Sequence, residues 1–113
     1  MSKLENLDQF TDTENYYTNP LYPFEYTDGI KYLAENGGAY WLLDAIASWQ
    51  KELDLSQIQF WRLKVNPDNS AVLTCERDAD EPVITQEIPF TDFPLEKISL
   101  YLCDGVLLLP SEY

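Results

Sequence analysis

Four carboxylates bunched near residue 80 form the densest group of potentially reactive side chains in this sequence. Glu76, Asp78, Asp80 and Glu81 follow one apolar run and precede Pro82, so they belong to a turn between two strands. They could hold a hard cation, but the glycine and the twelve-residue ligand order of a calcium loop are missing. Carboxylates that project from a turn can instead attract a basic protein. We therefore interpret these four residues as a candidate electrostatic binding site.

The composition does not favour catalysis. The chain has no histidine, which removes Ser-His and Cys-His pairs and the commonest zinc ligands. Among 20 acids, no spacing singles out two for paired-carboxylate hydrolysis. Cys75 and Cys103 each lie in an apolar run, without a CxxC motif, and are expected to be buried, reduced thiols. The sequence predicts a protein that is not an enzyme and that binds neither a cofactor nor a metal.

The charge balance restricts the class of partner. With 20 acids against 7 bases and a net charge of −13, the chain repels nucleic acid, whose binding requires Lys and Arg to neutralise phosphates. An anionic membrane surface is disfavoured for the same reason. We expect a basic protein as partner, including one that itself binds nucleic acid. The acidity could equally serve solubility alone.

A second candidate site is an aromatic-rich arm over residues 15–26. Its aromatic residues alternate with Pro20 and Pro23, which disfavour a helix and favour extended backbone. The arm either covers edges of the core or exposes a tyrosine-rich contact surface. The candidate contact residues are Tyr16, Tyr17, Tyr22, Tyr26 and Trp41.

Two helices are predicted between residues 27 and 53. Thr27 and Asp28 offer an N-cap for the first, and Asn36-Gly37-Gly38 ends it. The second extends from Gly38 to Leu53 and has the clearest helical period in the chain. Its apolar stripe consists of Leu42, Ala45, Ile46, Trp49 and Leu53.

Beyond residue 57 the period changes from 3.6 to 2, which indicates strands. Five are predicted, over residues 58–65, 71–76, 83–88, 98–102 and 106–109, with turns at Asn66–Ser70 and at Asp104-Gly105. The fold class is α+β, with two N-terminal helices on one face of an antiparallel, mostly meander sheet of about five strands. Residues 1–113 form a single domain that comprises an arm (1–26), a helical part (27–53) and a sheet (57–110).

Two segments resemble an uncharacterised family of small acidic bacterial or phage-related proteins. They are Ala39-Tyr40-Trp41-Leu42-Leu43-Asp44 and the C-terminal third, from Phe90-Thr91-Asp92-Phe93-Pro94-Leu95 through Leu107-Leu108-Leu109-Pro110-Ser111-Glu112-Tyr113. The likeness covers much of residues 27–113. It implies a bacterial or phage-related setting and carries no activity over to any residue.

Two function hypotheses follow from these patterns. The first is an acidic protein-binding module, an inhibitor of the DNA-mimic or anti-defence type that occupies the basic, nucleic-acid-facing surface of a partner. The second is a structural or regulatory interaction protein whose aromatic surface forms a homodimer or partner interface, the acidity being incidental. The charge favours the first narrowly, and the oligomeric state stays open. Because Met1 to Phe10 lacks a basic region followed by an apolar stretch, we expect a cytoplasmic protein.

Overall fold

A computed structural model describes residues 15–53, 58–76 and 82–113 of the chain. Three of the four turn carboxylates, Asp78, Asp80 and Glu81, lie outside the described residues, as does the apolar spacing of the first ten residues. Within the described ranges, no helix is long and apolar enough to cross a membrane.

Seven strands and two α-helices make up this part of the chain. The helices are α1 (Asp28–Asn36) and α2 (Tyr40–Trp49). The strands are β1 (Tyr16–Tyr17), β2 (Glu25–Thr27), β3 (Gln59–Val65), β4 (Ala71–Glu76), β5 (Pro82–Ile88), β6 (Lys97–Cys103) and β7 (Val106–Leu108). A short 3-10 helix, Pro110–Glu112, follows β7.

The strands form one sheet in the order β1-β2-β7-β6-β3-β4-β5. The α+β class and the five predicted strands are confirmed, but the sheet is larger, because the arm supplies β1 and β2 at one edge. The predicted meander holds for β3-β4-β5 and for the β6-β7 hairpin, but it is broken between β5 and β6, because β6 returns to pair with β3 on the far side from β4. The sheet is also mixed at one place, where β2 runs parallel to β7.

Local sequence explains where α1 begins and ends. The Thr27 hydroxyl accepts a hydrogen bond from the Ile30 amide at 3.4 Å, as an N-cap does. At the other end Gly38 adopts φ +60°, which lets the Ala39 amide donate to the Ala34 carbonyl at 2.9 Å. Glycine takes this left-handed backbone without steric cost. Both predicted end signals are therefore confirmed.

The second helix is shorter than its apolar pattern predicted. It ends at Trp49 instead of Leu53, and Leu42, Leu43 and Ile46 are the residues that it buries completely. Trp49 is half-buried, and its indole Nε1 donates to Gln86 Oε1 on β5 at 2.7 Å. The helix axis therefore directs Leu43 into the core and leaves Trp49 at the margin.

Both helices and the arm pack on one side of the sheet, which we call the covered face. Its strands contribute alternate residues to the core, because successive side chains of a strand point to opposite faces. The buried residues from the central strands are Trp61, Leu63, Leu73, Cys75, Leu100 and Leu102. Ile30 and Leu33 of α1 join Leu42 and Ile46 of α2 in the same cluster. The core therefore lies between the helices and this face.

Two glutamines are buried at the margin of the covered face. Gln50 and Gln59 exchange two amide hydrogen bonds of 2.9 Å, and Trp61 Nε1 donates to Gln59 Oε1 at 3.0 Å. Each polar atom here has a partner, which offsets the cost of removing it from water. Buried glutamine carries no apolar signal, so periodicity alone did not place these residues in the core.

Candidate functional site

Of the predicted electrostatic site, Glu76 is the member that the structure describes. It ends β4, and its Oε1 lies 3.3 Å from Arg62 Nη1 on β3. The turn Asn66–Ser70, with exposed Asp68, lies at the opposite end of the same hairpin, as the alternation of turns predicted. Over residues 15–53, 58–76 and 82–113, no three Cys, Asp or Glu side chains lie close enough together to hold a metal ion.

Most of the aromatic candidates pack against the core. Tyr26 is buried, while Tyr17, Tyr22 and Trp41 are half-buried and contact the core cluster. The rings also stack on one another, with centroids 5.7 Å apart for Tyr17 and Tyr26. In this geometry, four of the five rings cover the core on the helical side, so the surface that they present to a partner is small.

Two tyrosine hydroxyls tie the arm to the helices. Tyr17 donates to Asp28 Oδ1 at 2.8 Å, and Tyr22 donates to Asp44 Oδ1 at 2.6 Å. The hydrogen bond to Asp28 raises the pKa of Tyr17, and burial raises it further. Burial, followed by the hydrogen bond to Asp44, raises the pKa of Tyr22 strongly. These hydroxyls therefore act as protonated donors that hold the arm in place.

Neither α1 nor α2 lies on the other side of the sheet, which we call the open face. It is built from the strand residues that alternate with the core residues, so its members on β3 are Phe60, Arg62 and Lys64. Directly opposite them on β6 stand Tyr101, Ser99 and Lys97. Tyr16, the fifth aromatic candidate, has the same parity and is 55% exposed.

An aromatic cluster occupies one end of the open face. The rings of Phe60 and Tyr101 meet edge to face at 5.1 Å, and the rings of Tyr101 and Tyr113 do so at 5.4 Å. Edge-to-face contacts at such distances are favourable. Tyr113 nevertheless remains 71% exposed, so a large part of the cluster faces solvent.

A shallow groove of about 300 Å³ adjoins this cluster. Its walls include Tyr16, Val106, Leu108 and Tyr113, and Asp104 stands at its rim. Cys103 also lines it and is half-buried, which corrects the expectation that this thiol is fully buried. Burial raises the pKa of the Cys103 thiol, and the neighbouring Asp104 carboxylate raises it further.

Basic side chains occupy the other end of the open face. The structure describes five of the seven bases, and three of these five, Arg62, Lys64 and Lys97, are exposed on this face. Lys64 and Lys97 stand directly opposite each other in the β3–β6 ladder. Within the described ranges neither lysine forms an ion pair, whereas Arg62 is paired with Glu76. Like charges facing each other across a ladder are destabilising, so this arrangement costs the isolated fold some stability.

The alternation of residues along β3 and β6 is the sequence signal for the open face, although the residue types at these positions do not by themselves indicate a site. The period of two over residues 58–65 places Arg62 and Lys64 on the side opposite Trp61 and Leu63, and Phe60 shares their parity. Tyr101 and Lys97 share a parity on β6 in the same way. The pairing of β6 with β3, which brings these residues side by side, follows from no local pattern.

A model of the family of unknown function DUF6876 matches residues 1–113 of the chain. No curated protein and no solved structure matches the chain.

Proposed function

Because the chain belongs to a family of unknown function, DUF6876, we propose its role from its geometry alone: a non-catalytic interaction protein whose contact surface is the open face. This is the aromatic-interface hypothesis, with a different set of residues. Of the five arm and helix residues first considered, Tyr16 alone keeps a place in it.

One observation carries the proposal: the open face combines exposed aromatic rings with unpaired cations. Aromatic residues and arginine are enriched at the centre of protein interfaces, because their flat side chains bury much area at low entropic cost. Here the rings of Phe60, Tyr101 and Tyr113 occupy one end of the face. Arg62, which is paired with Glu76, lies next to them, and the unpaired Lys64 and Lys97 lie beyond it. On the covered face the equivalent positions are filled by the helices. Among the described residues, the open face is where exposed rings and cations adjoin on one surface, so a partner can gain apolar burial and charge contacts there together.

Site-specific photo-cross-linking tests this assignment. A benzophenone amino acid replaces Tyr113 on the open face or, as a matched control, Leu21, which is 83% exposed on the arm. We expect a discrete adduct, with a second copy or with another protein, from position 113 in cells of the source organism, and none from position 21. Equal labelling from both positions would remove the open face as the contact surface.

The acidic-inhibitor hypothesis stays a second candidate, and one observation favours it. Asp68 and Asp92 are exposed on two loops at the same end of the sheet. A hydrogen bond of 2.8 Å from the Thr91 amide to the Asn69 carbonyl joins these loops, so they form one unit. Carboxylates held on a rigid scaffold attract a basic partner at long range.

Neutralising carboxylates at each end of the sheet tests this second candidate. One variant is Asp78→Asn/Asp80→Asn/Glu81→Gln and the other is Asp68→Asn/Asp92→Asn. Each is measured for association with the heparin-binding fraction of a bacterial extract at low and high salt. Long-range attraction acts mainly on encounter, so the hypothesis expects a slower on-rate and steep weakening with salt. Unchanged on-rates at low salt for both variants would exclude an electrostatic site at either end.

A further inference from the structure

We propose that the occupant of the open face is a second copy of the same chain, packed face to face about a two-fold axis that lies across the strands. This inference rests on the proposed function, since it takes the open face to be a contact surface, and it adds the identity of the partner.

Charge is distributed unevenly along the strands of the open face. At one end of the open face stand the unpaired cations Lys64 and Lys97. At the other end the aromatic pair Phe60 and Tyr101 is flanked by carboxylates. Glu76 stands directly opposite Phe60 in the ladder, and Asp104 follows the end of β6. Glu87 on β5 stands opposite Val72, which itself stands opposite Lys64, so the lysine end also carries one carboxylate on this face. The face is therefore polar along its length, with two cations and one carboxylate at one end and rings and carboxylates at the other.

A surface with this polarity is complementary to itself when it is turned around. A two-fold axis across the strands, near Arg62, lays the lysine end of each copy on the aromatic end of the other. Each ammonium group then meets a ring face and a carboxylate, both of which attract it. The Arg62 side chains that approach the axis are each already paired with a Glu76 at 3.3 Å. Such an interface uses one patch on both copies, as two-fold dimers require.

The available area is close to what a weak dimer needs. The 35 residues of the seven strands, at about 3.3 Å along a strand and about 4.8 Å between strands, give a face of roughly 550 Å². Two such faces together remove about 1,100 Å² from water, just below the range of about 1,200–2,000 Å² of stable protein interfaces. Two twisted sheets pack in this way in β-sandwiches, with about 10 Å between them.

The net charge of −13 on each copy opposes association but does not prevent it. Exposed charges separated by more than about 8 Å are largely screened at physiological salt. Among the described acids, Asp68 and Asp92 lie on loops beyond the strand ends, and Asp44 lies on α2 on the covered side. Glu87 lies on the open face, and the contact otherwise joins cations to rings and carboxylates.

Sedimentation of the full chain tests the proposal directly. We expect a species of twice 13.1 kDa whose population falls on dilution. The variant Lys64→Glu/Lys97→Glu should dissociate about 100-fold more readily, because it places carboxylates against carboxylates. The matched control is Lys31→Glu/Lys51→Glu, which changes the net charge equally but lies on the helical side, and it should dimerise like the parent.

Mixing two variants separates loss of the interface from loss of the fold. The second variant, Glu76→Lys/Asp104→Asn, keeps at residue 104 a side chain that tolerates its positive φ of 52°. Mixed with Lys64→Glu/Lys97→Glu, it should restore a heterodimer, an outcome that unfolded chains cannot produce. Failure to restore association while both variants melt like the parent would overturn the paired arrangement.

The outcomes also separate this inference from the proposed function. A parent chain that sediments as a monomer at every concentration overturns the homodimer. If position 113 still cross-links to a different protein, the open face remains a contact surface with another occupant. If position 113 yields no discrete adduct, the proposed function falls as well.

Discussion

The two faces of the sheet have the same strands and opposite surroundings. On β3, Trp61 is 1% exposed under the helices, while its neighbour Phe60 is half-buried on the open face. On β6, Leu100 is buried while Ser99 and Tyr101 remain partly accessible. One backbone thus supplies a closed core on one side and an accessible aromatic and basic surface on the other.

The two faces also differ in what their side chains contribute to the stability of the fold. On the covered face, apolar burial and the Gln50–Gln59 amide pair stabilise the fold, and all buried polar side chains of the described residues have partners. On the open face, aligned lysines and exposed rings reduce the stability of the isolated chain. Features that cost the free protein stability are typical of surfaces used for binding.

The largest expected effect compares two adjacent residues on opposite faces. Trp61→Ala should reduce the free energy of unfolding by about 3–5 kcal/mol, because it leaves a large cavity in the core. Phe60→Ala should cost about 1–2 kcal/mol, because half of its ring is already in water. Urea denaturation of both variants measures the difference, and equal midpoints would break the distinction between the faces.

Substitution of Trp49 tests the margin of the covered face. Trp49→Ala should cost about 2–3 kcal/mol, less than a fully buried tryptophan does, since the side chain is half-buried. Trp49→Phe should cost about 1 kcal/mol through loss of the 2.7 Å bond to Gln86. Denaturation midpoints of the two variants, with Gln86→Ala as the control for the bond, separate packing from hydrogen bonding. A cost for Trp49→Ala as large as that for Trp61→Ala would place Trp49 in the core.

The C-terminal residues Glu112 and Tyr113 connect the two faces of the sheet. A double-mutant cycle tests the contacts of Glu112. The Glu112 carboxylate accepts hydrogen bonds from Thr27 Oγ1 at 2.7 Å and from the amides of Gly29 and Leu109 at 3.2 and 3.0 Å. The next residue, Tyr113, stacks on the open face. A Cβ at Gly29 would lie 2.5 Å from Glu112 Oε1, so Gly29→Ala should cost about 1–3 kcal/mol.

Removal of the Glu112 side chain should change the effect of Gly29→Ala on stability. Glu112→Ala alone should cost about 1–3 kcal/mol through its lost hydrogen bonds. In this background, Gly29→Ala should cost less than in the parent, because the contact with Glu112 is gone and only Leu109 Cδ1, at 2.7 Å from the new Cβ, still has to shift. Additive costs in thermal or urea denaturation would show that the carboxylate does not hold the start of α1.

The smallest expected effect is the pH dependence that Tyr22 contributes on the covered side. The pKa of Tyr22 is raised above its ordinary value near 10, so the folded chain keeps a proton that the unfolded chain releases. The associated stability is therefore complete below about pH 10 and is lost as pH rises above that value. Thermal melting from about pH 8 to about pH 11 should fall less steeply for Tyr22→Phe than for the parent. Identical slopes of melting temperature against pH for the two proteins would show that Tyr22 does not contribute to the pH dependence.

Local patterns predicted the elements well and their arrangement less well. The α1 caps, the five strands after residue 57 and the Asp104-Gly105 hairpin follow from residue types at fixed spacings, because capping and turn geometry act within a few residues. The arm was predicted as extended but not as strands, since β2 joins the sheet by pairing with β7, about eighty residues later. The α2 end was placed too late because Leu53 keeps the apolar period after the helix has stopped at Trp49.

The candidate site was predicted in kind but not in position. The aromatic hypothesis placed the contact surface on the arm, but most of the arm's rings pack against the core. The rings of the open face lie on β3, on β6 and at the C-terminus. Tyrosine in a proline-rich segment is conspicuous in sequence, and one aromatic residue in each of two strands is not.

By itself the sequence determined the α+β class, the alternation of each strand and the acidity that disfavours nucleic acid, because these depend on composition and on short-range periods. Tertiary structure alone decided that β6 lies beside β3, which brings Phe60 to Tyr101 and Lys64 to Lys97. Pairing between strands some thirty residues apart depends on the packing of the whole core, and no local preference encodes it.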